Sequence, residues 1–262
     1  MSTTPSSDLI LTERRGADES ILLITINREQ RRNSFDGATA HALEAALDAY
    51  EDDSTLRVAV ITGAGPTFSA GQDLKAAAVG DYGSTERRGG FGIMAQPPTK
   101  PIIAAVEGDA LAGGFELCLA CDLIVATEAT RMGLPEAARG LIAVGGGLFR
   151  LPKRIPHNVA VELALTGKPQ PASEFHRLGL VSRITPVGGA VDAALELAGD
   201  IAAAGPLSVI ASKQILAHAH EWTDEQGWAE QMVYAKPVMD SEDLKEGLAA
   251  FAQKRAPQWK GR

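Results

Sequence analysis

Uninterrupted apolar runs alternate with helix-period segments through most of the chain. Residues 21–26 (Ile-Leu-Leu-Ile-Thr-Ile), 58–63, 102–106, 123–127 and 180–184 each read as a strand. Runs this short and this apolar read as buried strands, and their recurrence between helix-like segments suits an α/β chain. Asp36 is placed to cap a helix whose His41, Leu43, Ala46, Leu47 and Tyr50 fall on one stripe. Residues 80–92 are polar, glycine-rich and aperiodic, and read as a mobile surface loop placed to cover a pocket. From Ala190 the pattern changes. Segments 190–204, 206–220, 223–236 and 241–254 carry helical periodicity without a strand, and Ser241, with Asp243 and Lys245, fits a helix start. The expectation is an α/β core over residues 1–189 and a helical region over 190–262.

Composition narrows the functions this architecture can serve. With 262 residues and 45% hydrophobic content, the chain can bury a large core. A net charge of -8 argues against nucleic acid as the main partner. Basic residues nevertheless cluster at Arg14-Arg15, at Arg28 with Arg31-Arg32, at Arg87-Arg88, and at Arg150 with Lys153-Arg154. Such spots can hold a phosphorylated small molecule, although a solvated surface is the ordinary reading of any single cluster. Cys118 and Cys121 have C-x-x-C spacing, but no second pair completes a metal site, and their apolar surroundings read as buried, inert thiols. His218 and His220 would face different sides of a helix, so no metal is expected there. Residues 1–8 are polar and lack the apolar core of a signal peptide, and no apolar stretch reaches ~18 residues. A cytoplasmic protein with mobile first residues is expected.

Candidate chemistry concentrates in three short turns. Residues 67–74 (Thr-Phe-Ser-Ala-Gly-Gln-Asp-Leu) and 110–117 (Ala-Leu-Ala-Gly-Gly-Phe-Glu-Leu) each follow an apolar run and open into a helix-like run. Such turns aim unpaired N–H groups forward, and the helix dipole adds positive potential. Two N–H groups aimed at one point, from Ala70 and Gly113, would make an oxyanion hole, and Glu116 lies one turn further on. The third turn is Gly133-Leu134-Pro135-Glu136, where proline fixes the backbone before a second carboxylate. Alone, each is an ordinary turn or helix start. Together they propose two carboxylates beside one site for a thioester carbonyl, with one acid activating water and the other managing a proton at the neighbouring carbon. Glycines at 140 and 145–147 would let another segment or a ligand pass closely.

In this order the pieces resemble the crotonase superfamily, the enoyl-CoA hydratase/isomerase group. The matching segments are Asn27-Arg28 with Arg32-Asn33-Ser34, residues 67–74, residues 100–106, Gly113-Gly114-Phe115-Glu116-Leu117 to Cys121-Asp122, Gly133-Leu134-Pro135-Glu136, residues 163–167, residues 172–181 and residues 242–262. The resemblance implies an α/β fold, a crotonase-like spiral of ββα units with a C-terminal helical trimerisation region, assembled as a homotrimer or hexamer. It implies an acyl-CoA thioester substrate whose oxygen is held by the N–H groups of Ala70 and Gly113. Glu136 would exchange the Cα proton and Glu116 would activate water. Coenzyme A, part of the substrate, would pass near Arg28 and Ala70, Gly71, Gln72, Asp73 and Leu74, with Phe251 and Lys254 approaching it, often from a neighbouring subunit. No metal or other cofactor, nucleic acid or membrane partner is implied.

The implied reaction is reversible syn hydration of a 2-enoyl-CoA to a 3-hydroxyacyl-CoA. Alternatives within the resemblance are a carnitinyl-CoA-type dehydratase and a double-bond isomerase. An acyl-CoA or RNA-binding protein on the same scaffold is the non-enzymatic one. The sequence departs from the hydratases at Ala112-Gly113-Gly114, where they carry three glycines, and at residues 142–145, where they carry a proline-containing turn. Residues 68–78 and 113–116 look close to the carnitinyl-CoA dehydratase branch.

Overall fold

A computed structural model describes residues 8–262; the polar start expected to be mobile, residues 1–7, lies outside the described residues. The first half contains β1 (Ile10–Arg15), β2 (Ile21–Ile26), α1 (Gly37–Asp52), β3 (Val58–Gly63), β4 (Thr67–Ser69), α2 (Leu74–Ala77), β5 (Ser84–Thr85), β6 (Gly89–Gly90), β7 (Ile102–Val106), β8 (Asp109–Leu111) and α3 (Gly113–Ala120). The second half contains β9 (Leu123–Thr127), β10 (Arg131–Gly133), α4 (Gly147–Arg154), α5 (His157–Thr166), β11 (Gln170–Pro171), α6 (Ala172–Arg177) and β12 (Arg183–Thr185). Four helices follow: α7 (Ala190–Ala202), α8 (Pro206–His218), α9 (Asp224–Met239) and α10 (Glu242–Gln253).

The long strands form one sheet in the order β1-β2-β3-β7-β9-β12, parallel except for the antiparallel β1–β2 edge. Its central strands are buried on both faces, which is why they read as unbroken apolar runs. On one face, α7 sets Ala190, Ala194, Ala198 and Ala202 at four-residue spacing against Leu23, Val58, Val60, Ile103 and Val125. Small side chains at each turn let the helix lie close to the strands. The other face packs on α1, α3 and a second sheet of order β11-β10-β8-β4.

A repeat connects the two sheets. Each of β3, β7 and β9 is followed within a few residues by a short strand of the second sheet, β4, β8 and β10. The units β3-β4-α2 and β7-β8-α3 then turn directly into a helix. This is the ββα winding expected from the resemblance, although no repeat is visible in the residues.

Several expectations change. The stretch 80–92 is not a loose polar loop. It contains the β5–β6 hairpin, and Arg88 is fully buried, paired with Asp48 at 2.8 Å and Glu51 at 2.7 Å on α1. Phe91 stacks on Phe35 with centroids 4.2 Å apart. His41 is exposed and leaves the stripe to Leu43, Ala46, Leu47 and Tyr50. The strand placed at 180–184 begins at Arg183, because Leu180 and Val181 instead close a turn with N–H bonds to the Phe175 carbonyl. The caps hold as read: Asp36 accepts from the Thr39 N–H, and Ser241 from the Leu244 N–H at 3.0 Å.

Candidate active site

The three chemistry-bearing turns occupy equivalent places in the repeat. β4, β8 and β10 are parallel neighbours in the second sheet, with Ser69 beside Ala110 and Leu111 beside Gly133. Ala70 follows β4, Ala112-Gly113 follows β8, and Pro135-Glu136 comes two residues after β10. Parallel neighbours about 4.8 Å apart end on one rim, so the turns are brought together by the ladder itself. They open on a cleft of about 1210 Å³ whose walls include Ala70, Gln72, Asp73, Leu74, Gly113, Glu116 and Glu136.

Ala112 caps α3 at φ 54° and ψ -129°, a conformation that glycine adopts more readily, so this turn is strained. The Ala112 carbonyl accepts from both Phe115 and Glu116, while the N–H groups of Gly113 and Gly114 meet no acceptor among the described residues. The Gly113 N–H therefore stands open at a helix N-terminus. Gly113 also has no room for a side chain, since a β-carbon there would lie 2.6 Å from Phe91 Cζ.

Ala70 differs from expectation. Its N–H donates to the Arg32 carbonyl at 3.0 Å rather than standing free. Two successive left-handed residues, Arg32 (φ 51°) and Asn33 (φ 53°), carry that carbonyl. The buried Asn33 side chain accepts from the Arg28 N–H and donates to the Ala64 and Thr67 carbonyls. Its own carbonyl accepts from Ser69 Oγ, which in turn accepts from the Gly71 N–H. The Ala70 turn and the 32–34 segment are thus one hydrogen-bonded unit.

The two carboxylates share the cleft. Glu116 Oε1 accepts the Gly147 N–H at 2.9 Å. Burial raises its pKa, while the Gly147 and Gly145 N–H groups and Arg150 pull it back. The glycines allow this approach, because a β-carbon on Gly145 would sit 2.7 Å from Glu116 Oε2. Arg150 braces the segment by donating to the Met94 carbonyl at 2.6 Å and the Gly145 carbonyl at 3.2 Å. Glu136 precedes a one-turn 3-10 segment, and its buried Oε2 has no hydrogen-bond partner among the described residues. Burial first, and then the Glu116 charge, push its pKa up to about 7. A buried carboxyl oxygen without a partner requires an explanation, and a proton-transfer role facing a ligand supplies one.

The remaining site residues divide. Gln72, Asp73 and Leu74 line the cleft, whereas Gly71 is buried behind the wall at φ 90°, where a β-carbon would lie 2.9 Å from the Gly113 nitrogen. Arg28 is an internal brace instead of a cleft residue: it is buried, pairs with Asp36 at 2.7 Å and Asp73 at 3.2 Å, and donates to the Ser34 carbonyl. Arg31, Arg32 and Lys75 supply positive charge to the cleft in its place. Phe251 and Lys254 are exposed around the end of α10 and do not line the cleft of a single chain. Cys118 and Cys121 are buried and free, and burial pushes the Cys121 thiol up to about 12, as inert thiols require. Sequence reasoning placed Arg150 in a basic cluster and Asn33 in a matching segment without seeing what they brace, and did not single out Phe91 or Met94. Only the glycines at 145–147 signalled that something would approach closely there.

Known proteins resemble this chain over nearly its whole length. The sequence profile of the family Enoyl-CoA hydratase/isomerase matches residues 16–262. A carnitinyl-CoA dehydratase of Proteus mirabilis is 41% identical over 255 residues, covering 93% of this chain and 96% of that protein. A solved enoyl-CoA hydratase from Mycobacterium tuberculosis H37Rv superposes with a TM-score of 0.94 at 49% identity, covering 98% of this chain and all of that one. A carnitinyl-CoA hydratase from Mycobacterium avium gives a TM-score of 0.77 at 43% identity, with 98% and 100% coverage. With its winding of ββα units and near-complete match to these proteins, the chain belongs to the enoyl-CoA hydratase/isomerase family of the crotonase superfamily.

Proposed function

We propose that the protein catalyses reversible syn hydration of a 2-enoyl-CoA to a 3-hydroxyacyl-CoA. The observation that carries this reading is the pair Glu116 and Glu136 facing one cleft beside the open Gly113 N–H. In the hydration direction, the Glu116 carboxylate takes a proton from water as its oxygen bonds to Cβ. The electron pair of the double bond moves onto the thioester oxygen, and the enolate returns it to Cα with a proton from Glu136. The oxygen sits on the Gly113 N–H and takes over the Ala70 N–H from the Arg32 carbonyl. Each such donor is worth about 3 kcal/mol to the transition state. Arg31, Arg32 and Lys75 suit the phosphates of coenzyme A, and Phe91, Met94, Leu141, Ile142 and Val144 suit an acyl chain. Addition of water has no net redox change, so these residues suffice without a further cofactor.

Crotonyl-CoA tests the reading. Loss of enoyl-thioester absorbance, with a product heavier by one water, supports it; a double-bond shift without water uptake overturns it. A second reading, dehydration of carnitinyl-CoA by the same pair, is favoured by relatives named for that reaction. Assaying carnitinyl-CoA in parallel separates the two. The exposed apolar side chains Trp228, Val233, Leu248 and Phe251 on α9 and α10 fit a homotrimer or hexamer contact.

A further inference from the structure

We propose that Phe91 is a specificity-determining residue that closes the cleft beside the thioester Cα and excludes α-branched acyl groups; this rests on the thioester oxygen binding at the Gly113 N–H. The Phe91 ring lines the cleft, is 4% exposed, and stacks face to face on Phe35 with an interplanar angle of 4°. Its Cζ and Cε2 would lie 2.6 and 2.8 Å from a β-carbon on Gly113, which places the ring edge against the oxyanion glycine. The same turn carries Met94, whose sulfur lies against Gly145, itself packed on Glu116 Oε2. One wall therefore runs from the donor for the thioester oxygen to the base for water at Cβ. The atoms between those two points are the thioester carbonyl carbon and Cα.

The wall is rigid. Phe91 has φ 56°, a left-handed conformation that is a genuine outlier for an aromatic residue and persists only when its surroundings fix it. Its N–H donates to the Gly83 carbonyl at 2.8 Å. Arg88, three residues earlier, is fixed by Asp48 and Glu51 and donates to the Gln96 carbonyl at 2.8 Å, while the Ala95 N–H returns to the Arg88 carbonyl at 2.8 Å. A segment pinned at both ends cannot yield to a methyl group at Cα.

Butyryl-CoA and 2-methylbutyryl-CoA differ only by a methyl group at Cα. Their binding by calorimetry reads the wall without any turnover. The wild-type protein should prefer butyryl-CoA by roughly 10-fold or more, the discrimination a methyl group in a tight apolar pocket gives. Phe91→Ala should bring the ratio to within about 3-fold, and Phe91→Leu, which keeps most of the buried bulk should the alanine variant not fold, should move it in the same direction. An unchanged ratio in the folded variants, or no binding of either thioester to the wild type, overturns the proposal. Crotonyl-CoA hydration is measured separately, so failure of the hydratase reading shows as absent turnover with the binding ratios still readable.

Discussion

Two carboxylates of one cleft are held in opposite ways. Glu116 is clamped by the Gly147 N–H, approached by Gly145, and lies near the Arg150 charge. Glu136 leaves one oxygen unpaired, and burial together with its neighbour's charge lifts it to about 7. The residue types are identical, so the difference comes from the donors that the fold supplies. The Gly147 and Gly145 N–H groups and Arg150 favour the charged form of Glu116 against the burial that raises its pKa, which suits a base for water. A bare carboxyl, protonated near neutrality, suits the acid for Cα.

The largest effect expected from this contrast is that of Glu136→Gln. Hydration should slow by roughly 10³-fold while acyl-CoA binding persists, read as kcat against the Kd for butyryl-CoA. A variant with wild-type kcat would remove the distinction between the two acids. A smaller effect is the pH profile. Both directions use the singly protonated pair, with the proton on Glu136 for hydration and on Glu116 for dehydration, and addition of water takes up no net proton, so kcat/KM in both directions should fall together, about tenfold per pH unit above about 7. A hydration kcat/KM that stays flat between pH 7 and 9 would contradict the assignment. The smallest effect is on stability. The folded pKa of Glu136 lies above its unfolded value, so the folded state holds more protons between about 4.3 and 7, and stability is lost as pH rises through that window. Glu136→Gln should therefore melt above the wild type at pH 8 and converge with it at pH 4 in thermal scans.

The same contrast marks what the residues alone could reveal. Glu116 and Glu136 were legible because each sits in a local pattern, three residues into a glycine-led helix or directly after a proline. β2, β3, β7 and β9 were legible because burial on both faces leaves an unbroken apolar run. The three-residue strands β4, β8 and β10, which bring the turns together, are too short to have a period. β1, with Glu13, Arg14 and Arg15 on an edge, showed no apolar run. The segment 80–92 was misjudged because its order comes from Arg88 pairing with α1 acids 37 and 40 positions away. The Arg32 carbonyl on the Ala70 N–H and the Gly147 N–H on Glu116 are equally non-local. Spacing identified which groups could act, and long-range hydrogen bonds decided which of them are free.

Exchange of the Cα protons of butyryl-CoA in deuterated water, followed by NMR, isolates the step assigned to Glu136, since a saturated thioester offers no carbon for water to attack. The wild type and Glu116→Gln should both wash deuterium into Cα, and Glu136→Gln should not. Exchange by Glu136→Gln at the wild-type rate would contradict the assignment.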